Sequence, residues 1–264
     1  MIKKLLILIL LFSGNLFSQE LSEMEIRKMT EDLQDGVHVD YHDNGNLKIK
    51  MTIKNGQLHG PFISYDKDKR IETSLNYLYG KEHGLSLFYY KGTEQISGSQ
   101  MYKYGEPHGN YTLYSEDGEI TYQESYKDGK LHGPYVSYYD NGEIFTQGSY
   151  KNGKQDGKWI SGLYSGDIES IKSYKDGKLH GPFKISPMTK EQGNPQLGIE
   201  TTYKYGEIDG TYKLYLGNGI ILHEGSYING KEDGVHKMYD LNGNGELVKE
   251  IIYKYGVEID SKEY

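Results

Sequence analysis

The sequence has no cysteine, six prolines and one tryptophan, and past its first 18 residues no apolar run exceeds a few residues. The lack of cysteine excludes disulfides, thiolate metal sites and a lipid anchor on cysteine. The hydrophobic share is only 36% of 264 residues, too little for a compact two-layer core in a chain of this length. A basic excess is missing too. There are 30 Lys+Arg against 38 Asp+Glu, for a net charge of −8. A nucleic-acid binder needs a basic surface to release counterions, and an anionic lipid surface makes the same demand, so neither is the expected partner. No His-Glu zinc helix, serine elbow or phosphate-cradling glycine loop occurs, so no enzyme activity and no cofactor are expected. With Trp159 as the one tryptophan, an array of tryptophan-built choline cages is not expected.

What the chain has is glycine (34), tyrosine (27) and a repeat. Ser125 to Pro134 reads SYKDGKLHGP, and Ser173 to Pro182 reads the same ten letters. Degenerate copies begin at Ile53, Tyr77, Tyr102, Tyr126, Tyr150, Tyr174, Tyr203, Tyr227 and Tyr253, with a usual step of 24 residues. A fixed period in this range predicts a repeat architecture in which each unit packs mainly on its neighbours.

Three segments follow. Residues 1–18 read as an export signal: Lys3 and Lys4, the apolar run Leu5 to Phe12, and a small, polar exit before Gln19. The run is too short to span a bilayer comfortably, so no transmembrane anchor is expected after its removal. Loss of the two lysines would move the net charge from −8 to −10. Residues 19–35 are acidic, with Ile26, Met29 and Leu33 at helical spacing, and predict a short capping helix. Residues 36–264 are repeats.

Gly133 to Gly157 serves as the model repeat. PYVSYY is a strand, Asp140-Asn141-Gly142 a turn, EIFTQGSYK a second strand, and Asn152-Gly153 the next turn. Asn-Gly and Asp-Gly between β-prone runs are strong hairpin signals, and no helix fits between them. The prediction is all-β: one elongated, single-sheet antiparallel meander of hairpins. Tyr79, Tyr104, Tyr205 and Tyr255 occupy the pre-glycine position of the second turn in several copies. Tyrosine resists positive φ, so this turn is expected to be a three-residue loop with positive φ only at the glycine.

The apolar position six residues before the repeat tyrosine (Ile120, Ile144, Ile168 and equivalents) shares its face, because the offset is even. The first strand adds an aromatic two residues after its opening glycine: Phe62, Tyr111, Tyr135, Trp159, Phe183 and Tyr212. Tyr111, Tyr135, Trp159, Phe183 and Tyr212 are the candidate partner-binding residues. Two further patterns have bland readings. His59, His83, His108, His132 and His180 precede the closing glycine, but equivalent residues lie two strands apart, about 9–10 Å, too far to share one metal. They are expected to bond backbone at turns. Asp240-Leu-Asn242-Gly-Asn244-Gly245 starts like a calcium loop, yet its twelfth position is Ile251 instead of a glutamate, so a long turn is expected.

The Tyr-x-[Asn/Asp/Tyr]-Gly-[Lys/Glu]-x-[His/Asp]-Gly units resemble MORN repeats, most closely the bacterial variant of YwqK-type antitoxin-family proteins. The resemblance covers residues 36–264 and implies an extended β-hairpin sheet used for protein contacts, with membrane or lipid association proposed in some members. The matching positions are scaffold positions, so the resemblance carries over no catalytic residue. The export signal sits badly with a cytoplasmic antitoxin. The expected function is therefore an exported, non-enzymatic scaffold for protein–protein interaction, periplasmic, secreted or at the cell surface. A glycan-binding module and an antitoxin- or immunity-like binder of a toxin are the alternatives.

Overall fold

The computed structural model describes residues 30, 33–187, 197–240 and 245–264. The expected export signal, most of the expected helix over 19–35, residues 188–196 and residues 241–244 of the calcium-like turn lie outside the described residues. Two compact units are formed, Met1–Glu82 and His83–Tyr264. Among the described residues from Gly36 to Glu263 every regular element is a β-strand. The first unit pairs Gly36–Tyr41, Leu47–Lys54, Gln57–Tyr65 and Ile71–Leu78 in chain order, all antiparallel. In the second, each long strand from Gly84–Tyr89 to Val257–Glu263 pairs antiparallel with its neighbours in sequence. The all-β hairpin meander predicted from the repeat is the observed fold.

The turns correct the sequence-based expectation. At the Tyr-Gly, Asn-Gly and Asp-Gly turns both central residues are left-handed: Tyr104 has φ 53° and Gly105 85°, Asn152 has 52° and Gly153 80°. The flanking residues pair directly, as Lys151 does with Lys154. These are two-residue type I′ turns, whose twist matches that of the strands. The three-residue loop with a glycine bulge sits at the other end of the hairpin. There Gly142 N–H donates to Tyr139 O at 3.1 Å, Tyr139 N–H to Glu143 O at 2.8 Å, and only Gly142 (φ 85°) is left-handed.

Tyrosine takes the left-handed region because the preceding repeat holds it there. The Tyr104 ring lies 4.8 Å from that of His83, Tyr205 4.6 Å from His180, and Tyr79 5.3 Å from His59. The Tyr104 and Tyr205 N–H groups donate to His83 and His180 Nδ1 at 3.4 Å. Where aspartate replaces histidine the bond is kept: Asn229 N–H donates to Asp209, and Tyr255 N–H to Asp233, both at 3.1 Å. Except at His59, whose Nδ1 has no hydrogen-bond partner among the described residues, the His/Asp column thus bonds turn backbone, as expected from the sequence. The glycine N–H of each turn also reaches back, Gly153 to Leu131 O at 2.7 Å and Gly177 to Gln155 O at 2.9 Å. Each turn is therefore hydrogen-bonded to the repeat before it.

The closing glycine makes a wide bulge. Leu131 pairs with Tyr126 and Tyr135 with Glu124, so His132, Gly133 and Pro134 all face Ser125. Gly133 has φ 109°, and a Cβ there would stand 3.2 Å from the Ser125 Cβ. The last repeat carries Asp260 in place of this glycine. Its bulge shrinks to the single residue Ile259, because Tyr253 pairs with Glu258 and Ile252 with Asp260.

Candidate functional site

Strand alternation puts one row of side chains along one face of each unit. In the first unit the row is Met51, Phe62 and Leu75, paired across strands and flanked by Ile49, Ile53 and Leu58. All six are buried, Ile53 to 1% exposure. In the second unit the same row reads Gln100, Tyr111, Glu124, Tyr135, Gly148, Trp159, Lys172, Phe183, Thr201, Tyr212, Gly225, His236 and Ile251. The five candidate residues Tyr111, Tyr135, Trp159, Phe183 and Tyr212 all stand in it. Trp159 is buried, and the other four are half-buried.

The residue between two rings decides how they meet. Gly148 leaves a trough in which Trp159 lies flat: a Cβ on Gly148 would fall 2.2 Å from the indole. Trp159 and Tyr135 thereby approach to 5.2 Å between centroids, and the indole N–H donates to Ser149 O at 3.2 Å. Gly225 does the same for His236, which is 1% exposed. Tyr111 and Tyr135, with Glu124 between them, connect through Tyr122 at 6.0 and 5.3 Å, edge to face. Phe183 instead packs on Tyr203 at 5.2 Å, and Tyr212 on Tyr227 at 5.7 Å. One connected ring cluster therefore spans Tyr111, Tyr122, Tyr135, Tyr150 and Trp159, and Phe183 and Tyr212 belong to separate clusters.

Glu124 sits inside the first cluster at 6% exposure, with no ion pair among the described residues. Its carboxylate accepts from Tyr122 Oη at 2.6 Å and Tyr126 Oη at 2.5 Å. Burial, then the nearby Glu124 charge, pushes the Tyr111 phenol up to about 12. Tyr122 and Tyr126 are pushed up further by burial and by donating to Glu124. The phenols therefore keep their protons at neutral pH and act as fixed donors. A general acid or base needs a pKa near the working pH, and these move away from it. A second polar pair joins His223 Nε2 and His236 Nδ1 at 3.2 Å. Burial, and secondarily His236, lowers the His223 pKa.

Sequence reasoning named the rings and missed Glu124, Tyr122 and the two histidines. The signal was present: Glu124 lies two residues before a repeat tyrosine, an even offset that points an acid to the buried face. No cluster of three or more metal-ligating side chains occurs among the described residues. The row can stack flat groups and offer hydroxyl donors, and its polar members change from repeat to repeat.

Residues 34–55, 107–128 and 131–152 match the model of the MORN repeat variant, so the chain carries MORN-type repeats. No curated protein matches it. Among the described residues, no helix is long and apolar enough to cross a membrane.

Proposed function

We propose that this chain is an exported, non-enzymatic repeat scaffold that holds a protein partner on the aromatic row of its second unit. One observation carries the reading. Tyr111, Tyr135, Phe183 and Tyr212 are half-exposed at regular spacing on a face that no second layer covers among the described residues of the unit. Large half-buried rings are effective anchors, because they add contact area at low entropic cost. Trp159, at 7% exposure, supports the row from beneath. Export rests on Met1 to Ser18, and the mature chain is expected to start at Gln19.

The test places a photo-crosslinking residue at Tyr135 or Tyr212 on this face, and at Gln123 or Ser173 on the opposite face, in the native cell. Protein adducts from the first pair alone are expected. Equal adducts from both pairs, or none, would overturn the reading. A toxin among the adducts would make the role immunity-like. The rings would also suit sugar stacking. Binding of the purified protein to cell-surface polysaccharide, lost in Tyr135→Ala and Tyr212→Ala, would replace the protein partner by a glycan.

A further inference from the structure

Between residues 115 and 178 the strands of the second unit run between two series of turns, and there the series carry opposite charge. In three successive repeats the type I′ turns are flanked by Lys127 and Lys130, Lys151 and Lys154, and Lys175 and Lys178, all exposed. Each couple is directly cross-strand. Like charges so placed are destabilising. Among the described residues none of the six has an ion pair, and only Lys175 touches a ring, that of Tyr205 at 6.0 Å. Asp128 and Asp176 lie within two of the turns, and Asp128 is engaged by His108 at 3.3 Å. At the other end of these strands the loops 115–119, 139–143 and 163–167 hold Glu116, Asp117, Glu119, Asp140, Glu143 and Asp167, all exposed, with no lysine or arginine in those three loops. Intervening strands of eight residues, such as Ile120–Lys127, separate the two series by about 25 Å. That exceeds the Debye length of roughly 10 Å at 0.1 M salt, so the series do not neutralise each other.

We propose that the lysine edge of this unit docks the acidic loop edge of a second copy of the same chain. Charge complementarity is one argument, and period is the other. Successive turns on either edge lie two strands apart, about 9–10 Å, because the same strands carry both. A second copy therefore presents acids at the spacing of the lysine couples, repeat for repeat. An acidic surface of another protein would have to match that spacing by accident. The contact is heterologous, since each copy offers one edge of each kind. It leaves the aromatic face free, so it stands or falls independently of the partner reading.

Sedimentation of the purified protein over a concentration series tests this. Self-association is expected at about 20 mM salt, weakening at least tenfold by about 300 mM. One variant carries Lys127→Glu, Lys130→Glu, Lys151→Glu and Lys154→Glu. The other carries Glu116→Lys, Asp117→Lys, Glu119→Lys and Glu143→Lys. All eight sites are exposed turn positions, and unchanged circular dichroism checks the fold. Each variant alone should remain monomeric, and a mixture of the two should associate. A wild type monomeric at low salt would overturn the proposal, as would variants that associate like wild type or a mixture that stays monomeric. Monomeric protein captured by a sulfated polysaccharide through the lysine edge would overturn it in favour of an anionic polymer.

Discussion

The two units build the same hairpins and fill the same row with different chemistry. In Met1–Glu82 the row and its flanks are apolar apart from Tyr77, which packs on Phe62 at 6.1 Å, and Ile53 and Leu58 reach 1% and 2% exposure. Burying such a side chain fully contributes about 1.5–3 kcal/mol. In His83–Tyr264 the corresponding buried set includes Ser86, Gln100, Glu124, Thr201 and His236. Edge-to-face ring pairs there contribute about 0.5–1.5 kcal/mol each beyond area burial. The frame of ladder and stacked turns is thus indifferent to whether the row is greasy or polar. The first unit uses the row as a hydrophobic seam. The second gives up part of that stabilisation and gains a strip of varied donors, acceptors and rings, which is the property a binding face needs.

Truncation in the seam should have the largest effect. Leu58→Ala is expected to cost the first unit about 2–5 kcal/mol, read as a lowered urea midpoint or as lost amide protection confined to that unit. An equal loss in both units would erase the comparison. Next comes the trough under Trp159. Gly148→Ala should cost about 1–3 kcal/mol by overpacking. Combined with Trp159→Leu it should cost less than the sum of the two, because the clashing ring is gone.

Glu124 should matter on a similar or smaller scale. Glu124→Leu removes the carboxylate that accepts from the Tyr122 and Tyr126 hydroxyls and is expected to cost about 1–3 kcal/mol, with Glu124→Gln milder. The same cluster sets an alkaline limit. Tyr111 has its folded pKa raised to about 12 from the ordinary phenol value of 10.0. A raised phenol pKa means the folded state favours the protonated ring. That stabilisation is present in full below about pH 10 and is lost as pH rises through 12. Thermal melts should fall across this window, and a flat profile would contradict the burial of the cluster. The smallest effect belongs to the turns. Tyr104→Asn should raise stability by up to about 1 kcal/mol, since asparagine takes the left-handed region more readily than tyrosine. A loss instead would show that the His83 contact outweighs the backbone strain.

Much of this was legible in residue order. The 24-residue period, the Asn-Gly and Asp-Gly pairs and the even offsets lead directly to antiparallel hairpins with tyrosine and the aromatic column on one face. The His/Asp position before the closing glycine was read correctly as a backbone partner, since two-strand spacing rules out a shared metal. The turn type was misread. The tyrosines at the pre-glycine position argued against positive φ, and that argument weighed one residue's own backbone preference alone. The contacts that hold Tyr104 left-handed come from His83, which belongs to the preceding repeat.

Residue order alone specifies the repeat, the strand direction, the face of each side chain and the charges at each hairpin end, because these follow from the period of two along a strand and from turn chemistry. Which rings touch is set by the packing of strand on strand. Gly148 faces Trp159, Gly225 faces His236, and Glu124 lies between Tyr111 and Tyr135 because of cross-strand register, which the bulges at the closing glycines set. A bulge of two extra residues shifts every pairing beyond it, and its size depends on whether a backbone can take positive φ beside a neighbouring strand. Local residue order does not contain that neighbour, and the packed sheet supplies it.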